Sequence, residues 1–135
     1  MPPSEDELLA HLMAHDIQPT RQRREIARVL FARPQHLSAD DVLRLVNADG
    51  PRASKATVYN TLGLFARKGL IREVIVDPTR VFYDPNTREH HHFYNVDTGR
   101  LEDIDADACA VQGLPQPPEG TVAEGVDIII RVRNA

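Results

Sequence analysis

The chain has 135 residues, of which 41% are hydrophobic and 27% charged, and its formal net charge at pH 7 is -4. This length allows one ordinary domain or two small ones, and the composition is that of a soluble globular protein. No apolar run approaches the roughly 20 residues of a membrane helix, and no secretory signal is visible. We therefore expect a cytoplasmic protein with no membrane partner. Cys109 is the only cysteine, which excludes an internal disulfide and a cysteine-rich zinc site.

The charges are distributed unevenly along the chain. Residues 1–75 contain eleven Lys and Arg against nine Asp and Glu, whereas residues 76–135 contain five against eleven. Salt screens charges that are more than about 10 Å apart, so a phosphate backbone responds to local charge and not to the total. The first half is therefore compatible with DNA, and the acidic second half with a cation.

The first half predicts four helices and a β-hairpin. Each helix has a hydroxyl residue at its N-cap and apolar residues at helical spacing behind it; the caps are Ser4, Thr20, Ser38 and Ser54. Gly69 is placed to end the fourth helix, and residues 70–76 and 81–83 are strand-like around a turn. Short helices followed by a hairpin describe a winged helix-turn-helix, whose last helix would enter the major groove of DNA.

The second half has a different pattern of predicted elements, with more strands than helices. It predicts strands over 90–96 and 100–104, a short helix over 105–112, a proline-rich connector over 113–120 and a final strand over 126–132. We therefore predict an α+β fold class, with a winged helix-turn-helix domain over residues 1–84 and a small α/β domain over residues 85–135.

The sharpest chemical feature is the run His90, His91 and His92. Side chains alternate along a strand, so His90 and His92 would share one face and His91 would lie on the other. Two imidazoles with nearby carboxylates would suit iron, manganese or zinc. The neighbouring candidates are Asp84, Glu102 or Asp103, and His36 from the first half. A solvated histidine run without a ligand is the alternative, and spacing alone leaves both open.

The fourth predicted helix is the second feature. It offers hydrogen-bond donors and apolar edges that could meet phosphates and bases. With one arginine from the basic cluster of the first half, the candidate DNA contacts are Arg21, Ser54, Lys55, Thr57, Tyr59 and Asn60. A plain amphipathic helix with its polar face in water is the alternative, and the wing that follows favours DNA binding.

These features together resemble the ferric uptake regulator family. The resemblance rests on segments that occur in order over nearly the whole chain: residues 19–23, 36–40, 56–62, 69–71 and the histidine run. It implies a homodimer on a palindromic double-stranded DNA operator, with Tyr59 contacting DNA and residues 85–135 forming the dimerisation domain. It also implies a regulatory site for Fe(II) or Mn(II), similar to that of the peroxide-sensing members, with zinc able to bind in vitro. The implied ligands are His36, Asp84, His90, His92 and Asp103.

The departures from the family pattern point to one branch. The paired Cys-x-x-Cys motifs that hold a structural zinc are missing, so we expect no structural zinc bound by four cysteines. The run that begins at His90 and the segments 114–120 and 126–133 are similar to the iron response regulator of alpha-proteobacteria. That resemblance implies control of iron and haem genes, with haem as a second ligand candidate at His90, His91 and His92, while the similarity to the peroxide-sensing members implies oxidative-stress genes as the alternative.

Two other classes of function compete with a regulator. The histidine-carboxylate cluster could serve a metal-dependent enzyme, but the chain has no nucleophile motif and an enzyme would leave the fourth helix unexplained. The second competing class is a structural DNA-binding protein whose histidine run binds no ligand. We predict a regulator and not an enzyme.

Overall fold

The computed structural model describes residues 2–135, which form two compact units. The first unit ends at Thr87 and the second comprises Arg88–Ala135. Among the described residues, no helix combines the length and the apolar character that crossing a membrane requires.

Four helices build most of the first unit. They are α1 Glu5–Ala14, α2 Arg21–Leu30, α3 Ala39–Val46 and α4 Lys55–Arg67. All four predicted N-caps are confirmed, because each hydroxyl oxygen accepts a hydrogen bond from the backbone N–H three residues further on. The predicted end of α4 is confirmed as well, since Gly69 follows it with φ of 75°, a conformation that glycine adopts without strain.

The core of this unit fixes which face of α4 meets solvent. Val58, Leu62 and Phe65 are fully buried at spacings of four and three residues, so they form one stripe along the helix. They pack in the same apolar cluster as Ile26 and Val42, which lie on α2 and α3. Burying each such side chain contributes about 1.5–3 kcal/mol. The opposite face of α4 is left exposed.

A two-stranded antiparallel sheet completes the first unit. Its strands are β1 Arg72–Asp77 and β2 Arg80–Asp84. The backbone of Tyr83 in β2 also pairs with Leu37, whose N–H and carbonyl group both bond to it, at 3.2 and 2.7 Å. The segment that leads into α3 is therefore attached to the wing.

The second unit contains a three-stranded sheet in the order β4-β3-β5. The strands are β3 His91–Asn95, β4 Leu101–Ile104 and β5 Ile129–Val132. β4 runs antiparallel to β3, and β5 runs parallel to it. The helices and strands of the two units make the fold α+β, as predicted.

Four predictions for the second half were wrong in extent. The helix expected over 105–112 is a single 3₁₀ turn, Ala106–Ala108, because these residues bury no apolar face and Asp105 provides no side-chain cap. The strand expected over 126–132 begins only at Ile129, and before it the N–H of Ile128 donates to the Nδ1 of His91 while its carbonyl accepts from the N–H of His92. Strand β3 is one residue shorter than predicted at each end, so that His90 lies just before it, and β4 begins at Leu101 and not at residue 100.

Candidate metal centre and nucleic-acid interface

The second unit brings His90, His92 and Asp103 together. The Nε2 atoms of both imidazoles lie 3.3 Å from the same oxygen, Oδ1 of Asp103. The register of the sheet explains this, because His92 is directly opposite Asp103. Both histidines are buried, at 5% and 1% exposure, while the carboxylate is reachable from solvent. The potential ligand atoms of the three residues lie within 4.8 Å of one another.

The hydrogen bond of His90 determines which of its nitrogens could bind a cation. Its Nδ1 lies at hydrogen-bonding distance from the carbonyl oxygen of Arg88, which can only accept, so Nδ1 carries the proton. In the neutral ring, the lone pair is then on Nε2, the atom that faces Asp103. A histidine that donates one N–H to a carbonyl and presents the other nitrogen beside a carboxylate has the usual arrangement of a metal ligand. The donor set fits a divalent cation.

His91 and Glu102 are separated from this group. The Nδ1 of His91 accepts a hydrogen bond of 3.1 Å from the backbone N–H of Ile128, so this side chain connects β3 to the chain that leads into β5. Glu102 is opposite Phe93 in the sheet and pairs with Arg100 at 3.3 Å. Between the two acidic residues that the sequence left open, the structure places Asp103 with the histidines.

The first unit brings together the other two predicted ligands. The Nε2 of His36 lies 3.1 Å from Oδ2 of Asp84, and both side chains are largely buried. The other oxygen of Asp84 accepts a hydrogen bond of 2.9 Å from the backbone N–H of Asn86. The pairing of Leu37 with Tyr83 explains the proximity, because His36 and Asp84 are the next residues outward on the two paired segments. The first unit thus holds one imidazole nitrogen beside a carboxylate, and the second unit holds two.

Five of the six candidate DNA contacts lie at the start of α4, with differing exposure. Ser54, Lys55, Tyr59 and Asn60 are exposed, and Thr57 is half-buried. Ser54 and Thr57 are partly committed to the helix, since the Ser54 hydroxyl caps the N–H of Thr57 and donates to its Oγ1 at 3.0 Å. The free face of α4 is therefore formed mainly by one cation, one aromatic ring and one amide.

Tyr59 has a partner that the sequence reasoning missed. Its hydroxyl donates a hydrogen bond of 2.9 Å to Oδ1 of Asp40 on α3, although the ring remains 42% exposed. This hydrogen bond, which neutral phenol alone can donate, raises the pKa of Tyr59 above its ordinary value. The Nζ of Lys55 lies 5.6 Å from the ring centroid, within range of a cation–π contact. No periodicity in the sequence links residues 19 positions apart, so only the packing of α3 on α4 reveals the pair.

Arg21 also lies in a network that was not predicted. Oε1 of Glu25, a buried residue, lies 3.3 Å from the Nε of Arg21 and 3.3 Å from a terminal nitrogen of Arg52. The side chain of Gln22 donates to the carbonyl oxygen of Arg52 at 3.2 Å. This network attaches the start of α2 to the loop before α4, and both guanidinium groups keep exposed surface.

The chain has clear relatives among known proteins. A family model described as the ferric uptake regulator family matches residues 14–116. The chain belongs to this family. One relative, the peroxide-responsive repressor PerR of Staphylococcus aureus, is 32% identical over 99 residues, which cover 73% of this chain and 67% of that protein.

Solved structures share the fold of this chain. The ferric uptake regulator from Pseudomonas aeruginosa with manganese has a TM-score of 0.69 at 24% identity, covering 93% of this chain and 96% of that one. A PerR from Streptococcus pyogenes, described in relation to peroxide sensing and gene regulation, has a TM-score of 0.51 at 28% identity, covering 73% and 68%. Family membership makes this chain a transcriptional regulator and not an enzyme. The finer resemblance to the iron response regulator branch stays a prediction.

Proposed function

We propose that this regulator is a homodimer that binds a palindromic DNA operator and that Fe(II) or Mn(II) sets its affinity for DNA. The observation that carries the proposal is the pair of half-sites, one in each unit, in which imidazole Nε2 atoms lie beside a carboxylate. The proposed ligands are His36, Asp84, His90, His92 and Asp103.

The donor set supports the choice of metal. Three imidazole nitrogens and two carboxylates, with no sulfur, suit Fe(II), Mn(II) or Zn(II) and disfavour the soft ions that thiolates select. The solved relative from Pseudomonas aeruginosa carries manganese. Haem is the alternative ligand, and it would use the histidine run without requiring His36 or Asp84.

The proposed switch depends on one ion being shared by both half-sites. Asp84 and His90 are separated by residues 85–89 only, so six backbone steps allow their Cα atoms a separation of at most about 20 Å. Residues of the two units that hold one ion would fix the angle between the units. His36 is adjacent to Leu37, which pairs with Tyr83 of the wing and packs in the same core as α3 and α4. A displacement of His36 on metal binding would therefore also displace these helices.

DNA binding is proposed for the exposed face of α4. Lys55, Tyr59 and Asn60 present a cation, a ring and an amide there, and such groups contact phosphates, thymine methyl groups and base edges. Arg21 would add a contact to the phosphate backbone from the start of α2. In a homodimer formed through residues 85–135, two copies of α4 would meet two half-sites of an operator.

Footprinting on genomic DNA tests this proposal. We expect a protected palindrome that appears with Mn(II) or Fe(II) and weakens in the His90→Ala, His92→Ala double variant. Protection that responds to haem but not to either metal, with a Soret shift that the double variant loses, would replace the metal by haem. Protection that is indifferent to metals, haem and the double variant would contradict a ligand-controlled switch.

A further inference from the structure

Tyr59 is held in place more firmly than an exposed tyrosine usually is. Its ring is 42% exposed on the outer face of α4, and a side chain in that position ordinarily exchanges between rotamers within nanoseconds. Here the hydroxyl is bonded to Asp40 at 2.9 Å and the ring lies under Lys55 at 5.6 Å. Both ends of the side chain are therefore restrained before any ligand arrives.

Asp40 lies in a well-anchored turn and takes no part in capping its own helix, although its charge is favourable at the helix N-terminus. It is the second residue of α3, whose N-terminus is capped by Ser38 and closed by the reciprocal hydrogen bonds of Ser38 and Asp41. The fully buried Val42 anchors the same turn in the core. Asp40 thus contributes a negative charge and a hydrogen bond to Tyr59, while the capping is done by its neighbours.

A carboxylate beside a DNA-reading helix has an electrostatic disadvantage. Phosphates dominate the affinity of proteins for DNA, and a negative charge within a Debye length of them opposes binding to every sequence. The hydrogen bond to Tyr59 gives this charge a compensating role. A side chain that is already ordered in the free protein loses less conformational entropy when DNA binds.

We infer that Asp40 is a positioning residue that orients Tyr59 for base recognition, lowering general DNA affinity while raising discrimination between sequences. The inference rests on the proposed function, in which α4 reads DNA. Asp40 acts through Tyr59 and need not touch DNA itself. Pre-ordering one such side chain corresponds to about a two- to tenfold gain in the ratio of specific to non-specific binding.

Two substitutions separate the charge of Asp40 from its hydrogen bond. Asp40→Asn removes the charge and keeps an oxygen that can accept from Tyr59, whereas Asp40→Ala removes both. Asp41→Asn is the matched control, since it removes the same charge from the adjacent position and keeps an acceptor for the cap. Affinity is measured with full-length protein and Mn(II) for two duplexes, one selected from a random library by the wild type and one scrambled.

We expect Asp40→Asn to bind both duplexes more tightly by a similar factor and to keep the wild-type ratio. Asp40→Ala should lower the ratio about two- to tenfold, and Asp41→Asn should leave it unchanged. In a Tyr59→Phe background, Asp40→Ala should have no further effect on the ratio. Titration of the phenol absorbance should show the Tyr59 pKa lower in Asp40→Ala than in the wild type, with Tyr59→Phe identifying the signal.

An unchanged ratio in Asp40→Ala, or equal effects of Asp40→Ala and Asp40→Asn on both duplexes, would overturn the role of Asp40 and leave the proposed function intact. If the wild type selects no duplex from the library, the proposed function itself fails. If Asp40→Ala does not fold, the comparison of Tyr59→Phe with the wild type replaces it: an unchanged ratio there would overturn the inference.

Discussion

Replacing His92 by glutamine should remove about half or more of the stabilisation that Mn(II) gives the protein. His92 is 1% exposed and its Nε2 lies 3.3 Å from Oδ1 of Asp103, so in the proposed site it is the most deeply buried ligand. Glutamine keeps a polar side chain of similar length but supplies an amide in place of the imidazole nitrogen.

The expected magnitude follows from linkage. At a free Mn(II) concentration of about 100 times the dissociation constant, an ion that binds only the folded state adds about 2.7 kcal/mol to the free energy of unfolding. Losing even a supporting partner of a ligand weakens metal binding about 10- to 100-fold, and losing the ligand should do at least as much. At the same Mn(II) concentration, the stabilisation of His92→Gln should therefore fall to about 1.4 kcal/mol for a 10-fold weakening, to about 0.4 kcal/mol for a 100-fold weakening, and lower still for a larger one.

Urea unfolding with Mn(II) and with a chelator measures this difference within each variant, so a change in the stability of the metal-free protein cancels. Glu102→Gln is the control, because Glu102 belongs to the same sheet but pairs with Arg100 and not with the histidines. A wild-type increment in His92→Gln, or an equal loss in Glu102→Gln, would refute the assignment of ligands.

Three further predictions concern the first unit. Gly69→Ala should lower the free energy of unfolding in urea by about 1–2 kcal/mol, because φ is 75° there. Gly63→Ala should raise it by about 0.5–1 kcal/mol, because Gly63 lies inside α4 and an added Cβ would meet only the flexible end of Arg67, at 3.2 Å. The same sign for both would contradict the backbone argument. Burial lowers the pKa of His11 below 6.5, so the unfolded chain takes up its proton first and stability should decline as pH falls through 6.5 toward the folded pKa. Urea midpoints of His11→Gln should show a smaller decline over that window, and an identical pH profile would count against it. Arg21→Ala should weaken binding to the selected and the scrambled duplex alike. It should also reduce the slope of log binding constant against log salt concentration by about 0.9 for each phosphate that is no longer neutralised. Weaker binding to the selected duplex alone would instead indicate that Arg21 reads a base.

The helices were predictable because their signals are local. Thr20 and Ser54 mark helix starts through a hydroxyl that bonds three residues ahead, and the buried stripe of α4 repeats at helical spacing. The proximity of His90 and His92 was predictable for the same reason, since alternation along an extended segment depends only on the backbone. Local rules fail at the 3₁₀ turn Ala106–Ala108, where a helical pattern has nothing to pack against.

Contacts between distant parts of the chain could not be predicted from the sequence. The hydrogen bond between Tyr59 and Asp40 and the ion pair between Arg52 and Glu25 depend on how helices pack and how the loop before α4 returns, and neither leaves a repeat or a spacing to detect. The choice of Asp103 over Glu102 depended on a strand register that the sequence allowed in two ways, because a shift by one residue exchanges the faces.

In the proposed switch, one ion held by residues of both units controls affinity for DNA. The most direct test measures binding to a selected duplex with Mn(II) and with a chelator, for the wild type and for the single variants His36→Ala and His92→Ala. We predict a response of about 5- to 150-fold in the wild type and its loss in both variants, since each removes a ligand of the same ion. A wild-type response that survives in either variant would contradict this switch.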